Sequence, residues 1–130
     1  MAVSMRTILT LSLLLGLTLA GCASTSDDSK YTTPPTDAQG RYVIDLTGDN
    51  KVMPAMAKVP AGATVVWKVG KGGIHDVTSQ TGPESFTSDS QYPSKMREGN
   101  EYTKTFTKTG TYAYHCALHG ELMKAQLRVT

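Results

Sequence analysis

The sequence predicts an all-β domain, a sandwich or barrel built from short strands. Three observations predict it. Apolar and polar residues alternate in several short stretches, as at Tyr42, Ile44 and Leu46 and again at Ala125, Leu127 and Val129, the period-two pattern of half-buried strands. Glycine- and proline-bearing turns such as Pro60-Ala61-Gly62 and Thr109-Gly110 separate these stretches, at the spacing of an all-β fold. No ten-residue stretch after Gly40 carries a helical apolar period.

The chain has 130 residues, with 13 Lys+Arg against 11 Asp+Glu and a net charge of +2. That length suits one domain. The charge is too small and too dispersed for a nucleic-acid surface, so no nucleic acid is expected as a partner. Hydrophobic residues make up 39% and charged residues 18%, which excludes a polytopic membrane protein. Two cysteines, Cys22 and Cys116, are too few for a disulfide framework or a four-thiolate zinc site. With three histidines and six methionines, any metal site must be small and mixed.

Met1 to Arg6 carries one positive charge, and an apolar run follows from Ile8 to Ala20. As a helix this run reaches roughly 20 Å, short of the ~30 Å hydrocarbon core, so it reads as a signal peptide and not as a span. Leu19-Ala20-Gly21-Cys22 resembles the lipobox of bacterial lipoproteins. That resemblance implies cleavage after residue 21, lipidation of Cys22, and an extracytoplasmic protein, periplasmic or at the cell surface, anchored in the membrane. Ala23, which is not Asp, implies the outer membrane if the host is Gram-negative. A plain signal peptide with a Cys22–Cys116 disulfide, and an uncleaved anchor, are the alternatives. Residues 22–40 follow as the lipidated cysteine and a Ser/Thr/Asp/Pro-rich tether, too polar to offset its ordering entropy. The folded domain is expected over 41–130.

Within it, Tyr42–Leu46 reads as the first strand. Ala63-Thr64-Val65-Val66-Trp67-Lys68-Val69 is the next, and His75-Asp76-Val77-Thr78 follows the Gly70-Lys71-Gly72-Gly73 turn. That turn lacks the Lys-Ser/Thr ending and the helix of a phosphate loop. Phe86 to Arg97 is irregular and reads as a long connection between sheets. Glu101 to Lys108, Thr111 to Cys116 and Lys124 to Thr130 complete the set.

The stretch His115-Cys116-Ala117-Leu118-His119-Gly120-Glu121-Leu122-Met123 carries the chemistry. Cys116, His119 and Met123 fall within eight residues at a strand end, and His75 lies beside another strand end. His115 cannot share a metal with Cys116, because adjacent residues of a strand face opposite ways; His75 is left as the second imidazole. Thiolate plus thioether favours copper, and a His₂Cys set with a weak axial Met is a blue-copper arrangement. Structural zinc rarely uses Met. A Cys-His nucleophile would need an orienting third residue or a helix N-terminus, and neither stands at a telling position.

From Met53 to Thr130 the chain resembles the cupredoxins, small blue-copper proteins of the plastocyanin/amicyanin type. The resemblance rests on Val59-Pro60-Ala61-Gly62 before Val65-Val66-Trp67, on His75-Asp76-Val77, and on Phe106, Gly110-Thr111-Tyr112 and Tyr114-His115-Cys116. It closes with His119, Met123 and Leu127-Arg128-Val129. It implies a two-sheet Greek-key β-sandwich with one copper ion cycling between Cu(I) and Cu(II). His75, Cys116 and His119 are then equatorial ligands and Met123 the axial one. The implied function is one-electron transfer between a donor and an acceptor redox protein, by a monomeric carrier and not an enzyme. An apical patch at Leu118 and Leu122 around His119 is the expected docking face, with His115 a second electron port. Copper delivery is the alternative, for which Met53 and Met56 speak. Three features depart from the family pattern. Leu118 replaces a proline and Asp76 an asparagine, and no glycine stands beside Met123. The three-residue gap from His119 to Met123 is longer than in amicyanin and shorter than in plastocyanin.

Overall fold

The computed structural model describes residues 27–130; the leader, the lipobox and Cys22 lie outside the described residues. Ten strands form two four-stranded sheets and a small ribbon. The first sheet has the order β2 (Val52–Met53), β1 (Tyr42–Leu46), β4 (Ala63–Val69), β8 (Glu101–Phe106). The second has the order β3 (Met56–Val59), β10 (Lys124–Val129), β9 (Gly110–His115), β6 (Thr78–Thr81). β5 (Ile74–His75) pairs with β7 (Met96–Arg97) as the ribbon. β1 runs parallel to β4, and β3 parallel to β10. The remaining pairs are antiparallel. The all-β sandwich expected from the sequence is the observed fold.

Alternation explains most strands. In β10, Ala125, Leu127 and Val129 are buried and Lys124, Gln126 and Arg128 face outward, so one face meets the opposing sheet. β4 is almost continuously buried because it lies between β1 and β8. Its Trp67, fully buried, centres the core. Tyr102 and Phe86 stack on it at 5.6 and 5.8 Å between ring centroids, and Tyr114 and Phe106 meet it edge-on at 5.6 and 6.2 Å. Offset and edge contacts of this kind suit aromatic quadrupoles. Lys104, between the buried Tyr102 and Phe106, lays its ammonium 5.3 Å from the Phe106 ring and pairs with Glu84 at 2.7 Å.

Three expectations change. The stretch His75 to Thr78 is not one strand: β5 ends at His75 and β6 starts at Thr78, so Asp76 and Val77 cross between ribbon and sheet. The connection Phe86 to Arg97 contains a 3-10 turn at Ser88–Ser90 and strand β7. The described part of the expected tether lies along the sandwich. Thr32 donates to the Met56 carbonyl at 2.8 Å and accepts from the Lys58 N–H at 2.9 Å, and Val43 donates to the Pro35 carbonyl at 2.8 Å. Tyr31 hydrogen-bonds Gln126 at 2.8 Å, and Lys58 bridges to Asp28 at 2.6 Å. The physical reason is the exposed edge of β3. Its unpaired backbone groups accept an extended polar segment, so ordering needs little apolar burial.

Phe106 is fully buried between Trp67, Phe86 and Tyr112. Phe106→Ala should lower the unfolding free energy by about 3–5 kcal/mol, read as a lower urea midpoint with an unchanged slope.

Candidate metal centre

Three separate segments meet at one pole of the sandwich. β5 ends on His75, β9 runs out into Cys116, and the loop between β9 and β10 carries His119. Register fixes the pole: His115, the last residue of β9, pairs with Lys124 on one side and Thr78 on the other. Cys116 therefore lies just beyond the paired region, and its side chain points inward, opposite to that of half-buried His115.

The loop closes on itself. The Cys116 N–H donates to the Met123 carbonyl at 3.1 Å. The Cys116 carbonyl accepts from the N–H groups of His119 and Gly120 at 3.2 and 2.9 Å. A 3-10 turn, Gly120–Met123, then delivers the chain into β10. These bonds hold His119 over Cys116, with Nδ1 3.4 Å from Sγ. His75 Nδ1 is 3.9 Å from the same sulfur. The three ligand atoms all lie within 4.8 Å of one another. A trigonal metal with bonds of about 2.0–2.3 Å needs ligand atoms roughly 3.5–3.9 Å apart, so the donor set fits one small ion. Met123 is fully buried at the foot of the same loop.

His75 is held in one tautomer. Its Nε2–H donates to the Thr47 carbonyl at 2.8 Å, which leaves the Nδ1 lone pair facing Cys116. Gly73 makes room for the ring, since a Cβ there would sit 2.9 Å from His75 Nε2 and 2.9 Å from Val69 Cγ1.

Asp76 joins two ligand segments. Its N–H donates to Cys116 Sγ at 3.4 Å, and its Oδ1 accepts from the Ala117 N–H at 2.6 Å. Its Oδ2 accepts from the Thr78 hydroxyl at 2.7 Å and lies 3.4 Å from Lys95 Nζ. Burial raises the Asp76 carboxyl, but the bonds from Thr78, Cys116 and Ala117 and the charge of Lys95 hold it below the usual carboxylate value. Burial pushes the Cys116 thiol up and is opposed by the Asp76 N–H; the Asp76 carboxylate adds to the rise, and the Leu118 amide opposes it. Burial also lowers His75. Without metal, the pole therefore favours a neutral imidazole and a protonated thiol. A soft cation that accepts thiolate would displace the proton.

The sequence profile of copper-binding proteins of the plastocyanin/azurin family matches residues 44–130. The chain belongs to this family. As a cupredoxin it is similar to a reduced tryptophan-to-tyrosine variant of amicyanin, at 27% identity and a TM-score of 0.61, over 72% of this chain and 86% of that one. It is also similar to a copper-containing nitrite reductase from Thermus scotoductus SA-01, at 26% identity and a TM-score of 0.60. The match covers 82% of this chain but only 29% of that enzyme. A purple cupredoxin from Nitrosopumilus maritimus shares the fold at 20% identity and a TM-score of 0.55, over 68% of this chain and 98% of that one. Among curated protein sequences no match is found. The family and the His75-Cys116-His119 cluster together support one copper ion in this cupredoxin.

Of the residues singled out in the sequence, His75, Cys116 and His119 cluster at this pole, and Cys22 lies outside the described residues. His75 and Cys116 are buried and His119 is half-buried. Leu118 and Leu122 are 51% and 76% exposed, beside His119 in the chain. Sequence reasoning missed the Thr47 carbonyl, the Asp76 carboxylate clamp, the space kept by Gly73, and Lys95. Gly73 left a signal as the last glycine of a run that read as a plain turn, and Asp76 left one as the residue standing where the family pattern has asparagine.

Two outcomes follow from this geometry. Gly73→Ala should push the His75 ring off the Thr47 carbonyl and weaken Cu(II) affinity about tenfold or more, measured by competition with a chelator. In the metal-free protein, His75 and Asp76 both have folded pKa values below their unfolded ones. The unfolded state then binds more protons, so stability rises with pH. It should be fully present above about pH 6.5. It should fall first as His75 titrates and further below about pH 4 as Asp76 titrates. Urea denaturation of metal-free protein from neutral to acidic pH checks both steps.

Proposed function

We propose that this cupredoxin is a type 1 copper electron carrier. It passes single electrons between redox proteins while a lipid on Cys22 holds it at an extracytoplasmic membrane surface. The observation that carries the reading is the convergence of His75 Nδ1 and His119 Nδ1 on Cys116 Sγ, 3.9 and 3.4 Å away, from a ribbon strand and from a hydrogen-bonded loop that Asp76 ties together. Copper in such a set supplies one-electron Cu(II)/Cu(I) chemistry. The chain's part is to keep the donors still. Thr47 orients His75, Asp76 clamps the start of the Cys116 loop, and the loop's own hydrogen bonds fix His119. Donors held in place against a packed core reorganise little when the charge of the site changes.

Metal delivery would use the same ligands but favours open, exchangeable donors. His75, Cys116 and Met123 are at most 1% exposed, which supports retention over exchange. Met53 is 53% exposed, but it sits on β2 while Met56 belongs to β3 in the other sheet. The exposed leucines beside His119 support docking at this pole, with Met123 as axial ligand and His115 as a second port. The Leu19-Ala20-Gly21-Cys22 motif supports the lipid anchor.

One equivalent of Cu(II) should give an intense visible thiolate-to-copper band. Cys116→Ser should abolish it, while Met123→Leu should keep the band and shift the potential. A band that survives in the Ser variant would show that the thiolate is misassigned. Leu122→Lys should slow electron transfer to a native partner with the spectrum unchanged, and an unaltered rate would locate docking elsewhere. Mass spectrometry of the mature protein checks acylation of Cys22.

A further inference from the structure

Lys95 has no role in the ligand set, yet two independent observations set it apart. Its backbone lies in the left-handed region, at φ +69°, which glycine adopts freely and lysine rarely does. Its side chain bridges two carboxylates, 3.4 Å from Asp76 Oδ2 and 2.6 Å from Asp89 Oδ2. The Asp76 side chain is fully buried, and that of Lys95 is 23% exposed. The local chain explains the placement. The Lys95 N–H closes a turn onto the Tyr92 carbonyl at 2.9 Å, and the next residue, Met96, pairs with His75 across the ribbon. The left-handed residue lets the chain enter the ribbon opposite His75 while the lysine side chain reaches Asp76.

We propose that Lys95 is a charge-compensating positioning residue, whose ammonium, shared with Asp89, partly offsets the buried Asp76 carboxylate beside Cys116 and thereby raises the reduction potential of the copper. The inference rests on the copper-carrier reading and deepens it. Asp76 is bound to both Sγ, through its N–H, and the Ala117 N–H, through Oδ1. Its negative charge therefore lies against the thiolate, in a setting where charges are weakly screened. An uncompensated anion there stabilises Cu(II), the form with the greater positive charge. The Lys95 ammonium offsets that anion and favours Cu(I). No proton is taken up or lost: one electron enters from the redox donor, and the fixed cation changes only how firmly the site holds it. Lys95 also keeps Asp76 Oδ2 in place, so that Oδ1 stays on the Ala117 N–H.

Removing the charge should be visible without loss of the fold. Lys95→Met and Lys95→Gly, each loaded with one equivalent of Cu(II), should shift the Cu(II)/Cu(I) balance toward Cu(II) by about tenfold at low ionic strength. That is a fall of ~59 mV for one electron, read by redox titration with the thiolate band retained. Lys95→Arg should restore a potential close to that of the parent. Lys95→Gly also relieves the left-handed backbone. Its metal-free form should therefore unfold at a higher urea concentration than that of Lys95→Met, although both lose the same charge. Parent-like potentials in both uncharged variants would overturn the proposal. So would an equal fall in Lys95→Arg, since packing and not charge would then be responsible. Absence of a thiolate band in the parent would instead overturn the copper-carrier reading itself, and this inference with it.

Discussion

The metal pole depends on one pair of hydrogen bonds, those joining Asp76 to the Cys116 loop. β5 belongs to the ribbon and β9 to the second sheet, and no ladder connects them. Asp76 supplies the link twice, through its N–H to Sγ and through Oδ1 from the Ala117 N–H at 2.6 Å. Charge-assisted bonds are shorter and stronger than neutral ones, and burial of the carboxylate leaves it no competing water. Without this link, the nearest tie between the two segments would be the β6–β9 ladder, which starts at Thr78 opposite His115. With it, Asp76 holds the residue after His75 directly against Cys116 and Ala117.

That link has a cost, which the surroundings meet. A buried carboxylate is expensive unless every lone pair is used. Here Thr78, Ala117 and Lys95 each take one direction. The Cys116 thiol beside it suffers in turn, because burial and the neighbouring carboxylate both disfavour thiolate. The fold therefore holds two groups, thiol and imidazole, in states that a copper ion improves. Binding energy from the metal flows back into the stability of the pole, whose Cys116 and Met123 belong to the same core as Trp67.

Much of this was legible in the sequence because it follows from periodicity and spacing. β1, β4, β8, β9 and β10 show their inward residues as alternation or as a buried run, and Cys116, His119 and Met123 announce themselves by proximity. β2 and β3 were not legible: Val52–Met53 is two residues long and Met56–Val59 four, too short for a pattern. The docking of Tyr31 and Thr32 was hidden for a different reason. It relies on backbone groups of an open strand edge, which composition does not report. The Thr47 carbonyl and the Lys95 bridge were hidden because a main-chain oxygen carries no sequence signal and a lysine in a loop reads as solvent-facing. Asp76 stood out as an unusual residue after a ligand histidine, but beyond nearby Thr78 its carboxylate contacts come from Ala117, 41 positions away, and from Lys95 in a loop between. The Cys22 anchor falls outside the described residues and rests on its motif alone.

The burial of the residues at the pole is uneven, and the unevenness has a cause in the fold. His75, Cys116 and Met123 are closed in by the ends of both sheets and the ribbon, whereas His119 begins the short 3-10 turn and is half-buried. The difference follows from topology. His75 and Cys116 sit at strand ends whose neighbours cover them, while His119 lies on the turn that must leave the sandwich to reverse direction. A loop of this length cannot reverse the chain and bury all its side chains, so Leu118 and Leu122 face outward with it. The constraint that closes the donor set thus also leaves the His119 imidazole half-buried, beside the outward-facing Leu118 and Leu122 and the Glu121–Lys124 ion pair.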